Sequence, residues 1–181
     1  MSTTNLDHLL RFFHEAGELK NLIRAGWTRY EISRPESVAD HSYRMVLMAM
    51  ALGERAGLDT LRLIMLCVVH DLPEALTGDI TPHDGVSDEE KHKREEKALR
   101  DLVQDIPDGD AYIELWREYD AQETSEAKMA YQIDKLEMAI QAREYQDAYP
   151  ENDLSEFIDN VEAAITIPEL RRLFDSLNTA S

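Results

Sequence analysis

Four side chains of metal-ligating type stand where a helical core would otherwise carry apolar atoms. His41 interrupts an apolar stripe with spacings of three and four residues, and His70 and Asp71 end the most apolar stretch of the chain. Asp134 shares a largely apolar helical face. A buried imidazole or carboxylate needs a partner, and two His with two Asp suit a borderline or hard divalent metal. These residues therefore form a candidate metal site.

Each of these residues also has an ordinary structural interpretation. His41 alone is equally typical of a core histidine that donates to a neighbouring carbonyl. The His70–Asp71 pair can mark a helix that has reached the surface, and Asp134 can be half of a salt bridge. A second His-Asp pair, His83–Asp84, lies in a polar loop with Pro and Gly and is interpreted as a solvated turn.

Length and composition predict one globular domain over residues 1–181. The chain has 181 residues, of which 43% are hydrophobic, enough for a single buried core. Its most apolar stretch, Leu61 to Val69, is too short to span a bilayer and contains Arg62. Cys67 is the only cysteine, and the N-terminus shows no secretory signal. These features predict a soluble protein of the reducing cytoplasm.

The charge of the chain restricts its partners. The formal net charge is −18, so the surface repels nucleic acid polymers and anionic membranes. A metal ion and a few arginines can nevertheless reverse the field inside one cleft. The charge therefore remains compatible with a small anionic substrate.

Helical periodicity recurs along the chain and strand alternation does not persist, which predicts an all-α fold. Pro73 is expected to end or bend the helix that carries His70, and Gly78 to form a C-terminal turn. Residues 106–109 are expected to separate two further helices. The predicted helix starts are Pro35–Val38, Asp59, Ser87 with Glu90, about Thr124, Asp153 with Glu156, and Thr166 with Glu169.

Longer segments around the candidate ligands resemble a known family. The order His, His-Asp and distant Asp resembles the HD-domain metal-dependent phosphohydrolase superfamily. Residues 34–45 (RPESVADHSYRM), 69–80 (VHDLPEALTGDI), 89–96 (EEKHKREE) and 132–135 (QIDK) are similar to its 5′-deoxynucleotidase branch. The resemblance extends from about Leu19 to Leu173. It implies a compact single HD domain with a metal held between core helices by His41, His70, Asp71 and Asp134.

The resemblance also implies an activity. The expected reaction is hydrolysis of deoxynucleoside 5′-monophosphates to deoxynucleosides and phosphate, by a homodimer. A divalent cation would lower the pKa of a bound water and neutralise phosphate charge. Cobalt, manganese, magnesium, iron and zinc all suit the ligand set. Glu74 is expected to orient or deprotonate the water, and Asp79 to protonate the leaving 5′-oxygen or fix the water; their roles are interchangeable at this stage.

Substrate contacts are expected from two segments. The bacterial members place an arginine beside a tryptophan to orient the phosphate, which points to Arg24, although Arg29 is an alternative. Trp27 either stacks on the nucleoside or packs in the core. Against the sugar, we expect an apolar wall at Trp27 or at the turn formed by Asp79, Ile80 and Thr81.

Two other functions compete with this one. The same site can serve another phosphoester, such as a nucleoside triphosphate or an alarmone. Alternatively, the chain is a non-catalytic helical adaptor with a residual metal site. The presence of all four ligands together with Glu74 and Asp79 argues against the adaptor.

Overall fold

The apolar periodicity of the chain produces helices throughout the described structure. The structure, a computed structural model, describes residues 3–179. Within this range the extended structure is limited to one antiparallel bridge between Ile23 and Ser37, and the all-α prediction is confirmed. The α-helices are α1 (Thr3–Gly17), α2 (Val38–Leu52), α3 (Thr60–Val69), α4 (Glu74–Thr77), α5 (Asp88–Val103), α6 (Gly109–Ala121), α7 (Ser125–Ala148), α8 (Ser155–Glu162) and α9 (Pro168–Thr179). Short 3-10 helices lie at Glu18–Lys20, Ala25–Arg29 and Pro82–Asp84.

Side-chain caps set the starts of the helices that carry the site. Ser37 accepts the amide hydrogen of Asp40, and the Asp40 carboxylate accepts the Ser37 amide in return, which fixes the first turn of α2. Asp59 caps α3 and Thr124 caps α7 through the same kind of contact. The predicted starts of these three helices are confirmed. Ser87 likewise accepts the amide of Glu90 at the start of α5.

The two predicted caps nearest the C-terminus are wrong. Leu154 precedes α8, and Asp153 accepts the amide of Ser155 in the turn before the helix. Helix α9 begins at Pro168 and Ile167 precedes it, while the hydroxyl of Thr166 accepts a hydrogen bond from the side chain of Gln132 on α7. Local sequence patterns cannot anticipate such a long-range partner, which competes with the helix end for the same oxygen.

Helix α7 forms the centre of the molecule. It packs against α2, α3, α6, α8 and α9. Met45 of α2 and Leu63 and Leu66 of α3 are completely buried in this core, and each such burial stabilises the fold by about 1.5–3 kcal/mol. This packing holds α2, α3 and α7 together, and these helices supply the candidate ligands.

A second, smaller cluster packs against the other end of α7. Trp27 and Ile32 come from the segment before α2, and Tyr145 comes from the last turns of α7. Phe157 of α8 closes the cluster. Across residues 3–179, none of the helices has the length and apolar character needed to cross a membrane.

Candidate metal centre

Three core helices bring the predicted ligands to one place. The cap at Ser37 places His41 on the buried face of α2. His70 directly follows α3, Asp71 lies in the turn after it, and Asp134 lies in the middle of α7. Because α2, α3 and α7 pack on one another, residues distant in sequence become neighbours.

The distances among these side chains are short. The Nε2 atom of His41 lies 3.3 Å from Asp134 Oδ1 and 3.8 Å from Asp71 Oδ2. The Nε2 atom of His70 lies 3.0 Å from the same Asp71 oxygen. One ligand atom each from His41, His70 and Asp71 fits within 4.8 Å of the others. The structure therefore brings all four predicted ligands together.

The donor set fits a divalent cation. The Nε2 atoms of His41 and His70 are buried and face carboxylate oxygens of Asp134 and Asp71, without the geometry of a hydrogen bond. The Nδ1 atom of His70 lies 2.9 Å from the backbone oxygen of Cys67, which can only accept, so Nδ1 donates there and Nε2 is the nitrogen that faces the candidate metal site. Two imidazole nitrogens and two carboxylates are ligands that borderline divalent metals accept. In contrast, His83 and Asp84 lie in an exposed turn, as interpreted from the sequence.

Arg24 provides the positive charge beside the carboxylates. Its guanidinium lies 3.1 Å from Asp71 Oδ2 and 4.0 Å from Asp134 Oδ1. Burial raises the pKa of Asp71, but His70, Arg24 and His41 outweigh burial and hold that pKa below its usual range. Arg29, the alternative phosphate ligand, instead pairs with Glu156 at 2.9 Å and is partly exposed.

The two predicted catalytic carboxyl groups have different surroundings. Glu74 opens α4 and is buried, and its Oε2 has no hydrogen-bond partner among the described residues. Burial, followed by the charges of Asp71 and Asp79, raises the pKa of Glu74 well above its usual value. Asp79 follows Gly78, whose φ of +75° permits the turn, and accepts the amide hydrogen of Ala25 at 2.7 Å. Asp79 therefore ties this turn to the Arg24 segment.

The environment of Trp27 favours the packing interpretation over stacking on a nucleoside. Its side chain is 2% exposed, and its ring centroid lies 4.3 Å from that of Phe157 and 5.2 Å from that of Tyr145. The indole N–H donates to Glu36 at 2.8 Å. Trp27 thus stabilises the segment that carries Arg24.

The turn after Asp79 is organised by its own contacts. The amide and the hydroxyl of Thr81 both donate to Asp84, at 2.7 and 2.8 Å. The carbonyl of Ile80 accepts from Lys91 Nζ at 2.9 Å, which fastens the turn to α5. These contacts fix the conformation of the turn that contains Ile80 and Thr81.

Sequence reasoning did not assign three residues that contact the candidate ligands. Lys135 Nζ lies 2.9 Å from Asp134 Oδ2, and the hydroxyl of Tyr119 donates to the same oxygen at 3.3 Å. Glu137 contacts the Nδ1 atom of His41. The sequence signal for Lys135 and Glu137 was their proximity to Asp134 on one helix; Tyr119 carried no comparable signal.

Comparison with known proteins defines the class. Residues 16–171 match the family model of the HD domain, and the chain belongs to that family. The match includes His41, His70, Asp71 and Asp134.

Particular relatives are similar over most of the chain. The 5′-deoxynucleotidase HDDC2 of Mus musculus is 42% identical over 177 residues, which cover 94% of this chain and 87% of the relative. A conserved hypothetical protein of Pyrococcus furiosus has the same fold, with a TM-score of 0.78, 32% identity and coverage of 96% and 99% of the two chains. A predicted metal-dependent phosphohydrolase of Magnetospirillum magnetotacticum has a TM-score of 0.74 at 25% identity, with coverage of 97% and 92%.

Proposed function

We propose that this chain is a metal-dependent 5′-deoxynucleotidase that converts deoxynucleoside 5′-monophosphates to deoxynucleosides and phosphate. One observation carries the proposal: two buried imidazole nitrogens and two carboxylates converge beside the guanidinium of Arg24. The mouse relative is named a 5′-deoxynucleotidase, which supports this activity for a member of the HD domain family. Its four candidate ligands are His41, His70, Asp71 and Asp134.

The residues of the site divide the work of the reaction. A divalent cation, when bound, supplies positive charge to the phosphate and lowers the pKa of a water molecule. Arg24 binds phosphate oxygens through its planar guanidinium, for which Asp71 holds it in place. Glu74 and Asp79 move the protons: one takes a proton from the attacking water, and the other gives one to the 5′-oxygen as its bond to phosphorus breaks.

A nucleotide panel tests the proposal. Purified protein is stripped with chelator, reloaded with cobalt, manganese or magnesium, and assayed for phosphate released from deoxynucleoside monophosphates, ribonucleotides and triphosphates. We expect metal-dependent release from the deoxynucleoside monophosphates. Preferred cleavage of triphosphates would assign the site to another phosphoester. Stoichiometric metal without turnover of any nucleotide would favour the adaptor.

The sugar preference follows from the proposed substrate. A ribose hydroxyl pressed against an apolar wall loses water without gaining a partner, so the 2′-deoxy substrate is preferred. Such a wall rejects an added hydroxyl by about 10²-fold. Because Trp27 is buried, we assign this wall to the turn of Asp79, Ile80 and Thr81, in which Ile80 supplies the apolar side chain. Equal kcat/KM for dAMP and AMP would contradict the deoxynucleotidase assignment.

We also propose that the protein is a cytoplasmic homodimer. The chain has 37 acidic residues, but residues 41–53 and 60–70 contain none. On α2 and α3, these stretches expose apolar side chains at spacings of three and four residues: Tyr43, Leu47, Met50, Leu61, Met65 and Val68. We call these six side chains the α2–α3 face. An acid-free apolar face lets a second copy of a strongly acidic chain approach without repulsion, and a twofold axis would bury this face on both copies.

Sedimentation of charge variants tests the dimer. Leu47→Glu combined with Met65→Glu places two carboxylates on the α2–α3 face and is expected to yield monomers. Leu173→Glu on α9 is the control, because Leu173 and Leu47 are equally exposed, at 45%. A double variant that remains dimeric would move the interface elsewhere, and a monomeric wild type would contradict the dimer itself.

A further inference from the structure

The second nitrogen of His41 has a charged partner. The Nδ1 atom of His41 is in hydrogen-bond contact with the Oε2 atom of Glu137. Both side chains are completely buried, and Glu137 lies on α7, one turn beyond Asp134. A buried carboxylate without compensation is costly, so a charge at this depth requires partners with matching donors.

Arg44 provides the second partner of Glu137. Its Nε lies 3.2 Å from Glu137 Oε1, and the same guanidinium reaches Glu144 at 2.9 Å. Arg44 stands one turn after His41, so both side chains project from α2 toward α7. Glu137 thus forms a hydrogen bond with His41 through Oε2 and an ion pair with Arg44 at Oε1, and both partners come from α2.

The two candidate histidine ligands are therefore held by unlike acceptors. His70 donates its Nδ1–H to the neutral backbone carbonyl of Cys67. His41 faces a carboxylate, which forms a stronger hydrogen bond than a carbonyl and makes the opposite nitrogen more basic. The difference marks His41 as the histidine whose orientation depends on a removable side chain.

We propose that Glu137 is a positioning residue for the metal centre. Glu137 accepts the Nδ1–H of His41 and thereby keeps Nε2 directed at Asp71 and Asp134, while the ion pair with Arg44 keeps the Glu137 side chain in place. This inference rests on the proposed role of His41 as a metal ligand. Glu137 contacts Nδ1 of His41, whereas Nε2 faces Asp134, so Glu137 acts on the metal only through the imidazole ring.

Metal affinity separates this role from simple packing. We expect Glu137→Ala to weaken Co²⁺ binding by about 10–100-fold, as measured by titration of chelator-stripped protein. Glu137→Gln retains an acceptor oxygen, so it should weaken binding less. Glu144→Gln is the control, because it removes another carboxylate partner of Arg44 from the same helix without touching His41. Thermal unfolding of each variant measures its fold.

A second readout follows the hydrogen bond without metal. The Nδ1–H proton of His41, assigned by its loss in His41→Ala, should give a downfield NMR signal that survives in Glu137→Gln and disappears in Glu137→Ala. If folded Glu137→Ala binds Co²⁺ as tightly as the wild type, or still shows the downfield signal unchanged, the proposal is overturned. If Glu137→Ala does not fold, unchanged affinity in Glu137→Gln together with an unshifted signal would overturn it.

The number of ions bound per chain tests the alternative that Glu137 belongs to a second cation site. Glu36, His41 and Glu137 also place ligand atoms within 4.8 Å of one another. Two ions per wild-type chain, falling to one in Glu137→Ala, would make the cluster a second cation site and contradict the positioning role. A wild type that binds no Co²⁺ would instead defeat the proposed function, while the NMR signal would still decide the contact.

Discussion

The guanidinium of Arg24 lies 3.1 Å from the carboxylate of Asp71, although the two residues are 47 positions apart in the sequence. This ion pair joins the segment before α2 to the candidate metal centre. It also distinguishes Arg24 from Arg29, which pairs with Glu156 on α8. The ion pair with Asp71 therefore identifies Arg24 as the arginine placed to bind a phosphate.

Arg24→Gln is expected to raise the KM for dAMP by roughly 10-fold or more, because an amide cannot replace a charge-assisted, two-pronged phosphate contact. Arg29→Gln is the matched control and should leave KM within about twofold, since surface pairs of this kind contribute little. Steady-state kinetics with one metal at saturation measures both. A larger effect at Arg29 would reverse the assignment.

Asp71→Ala and Asp134→Ala are each expected to abolish metal binding and nearly all phosphate release, because each removes a ligand charge beside two histidines. Elemental analysis of the purified variants measures the metal. Asp101→Ala, at an exposed position on α5, should retain both metal and turnover. Normal metal content in both ligand variants would show that the ion is held elsewhere.

Glu74→Gln and Asp79→Asn should retain the metal and lower kcat by roughly 10²-fold or more, if each transfers a proton. The pair also distinguishes chemistry from positioning. Asp79 holds the Ala25 amide, so Asp79→Asn should raise KM as well, whereas Glu74→Gln should leave KM nearly unchanged. Loss of metal in Glu74→Gln would instead make Glu74 a ligand.

Trp27→Ala is expected to lower the free energy of unfolding by about 3–5 kcal/mol, since it removes a buried aromatic ring from the cluster with Tyr145 and Phe157. Trp27→Phe keeps a ring but leaves Glu36 without its indole donor, at a cost of about 1–3 kcal/mol. Denaturant unfolding gives both values. In Trp27→Phe, the dAMP-to-AMP ratio of kcat/KM should stay at the wild-type value; a collapsed ratio would restore Trp27 as the sugar wall.

Cys67 should resist thiol reagents in the native protein. Its side chain is completely buried, and burial raises the pKa of the thiol to about 12. A raised pKa keeps an acid protonated, and these reagents attack the thiolate, so native protein at pH 8 should react far more slowly than denatured protein. Absorbance of the released reagent anion follows the reaction. Equal rates in the two states would show that α3 opens readily.

The sequence predicted the helical class and the starts of the helices that carry the site. Apolar spacing and caps such as Ser37 and Asp59 act within a few residues, so they can be recognised without tertiary contacts. The four candidate ligands were weaker signals. A histidine or aspartate on an apolar face conflicts with burial, but each of these residues also had an ordinary structural interpretation. The resemblance of the surrounding segments to the HD-domain superfamily singled them out.

Only the tertiary structure decided which partners those residues meet. Spacing along one helix specifies a face but not what packs against it. The position of Glu137 near Asp134 therefore did not indicate that it meets His41, and no local pattern paired Arg24 with Asp71. Trp27 shows the same limit: its aromatic ring suits either a nucleoside or a core. The docking of α8 on α7 buried that ring, because removing its large apolar surface from water stabilises the fold.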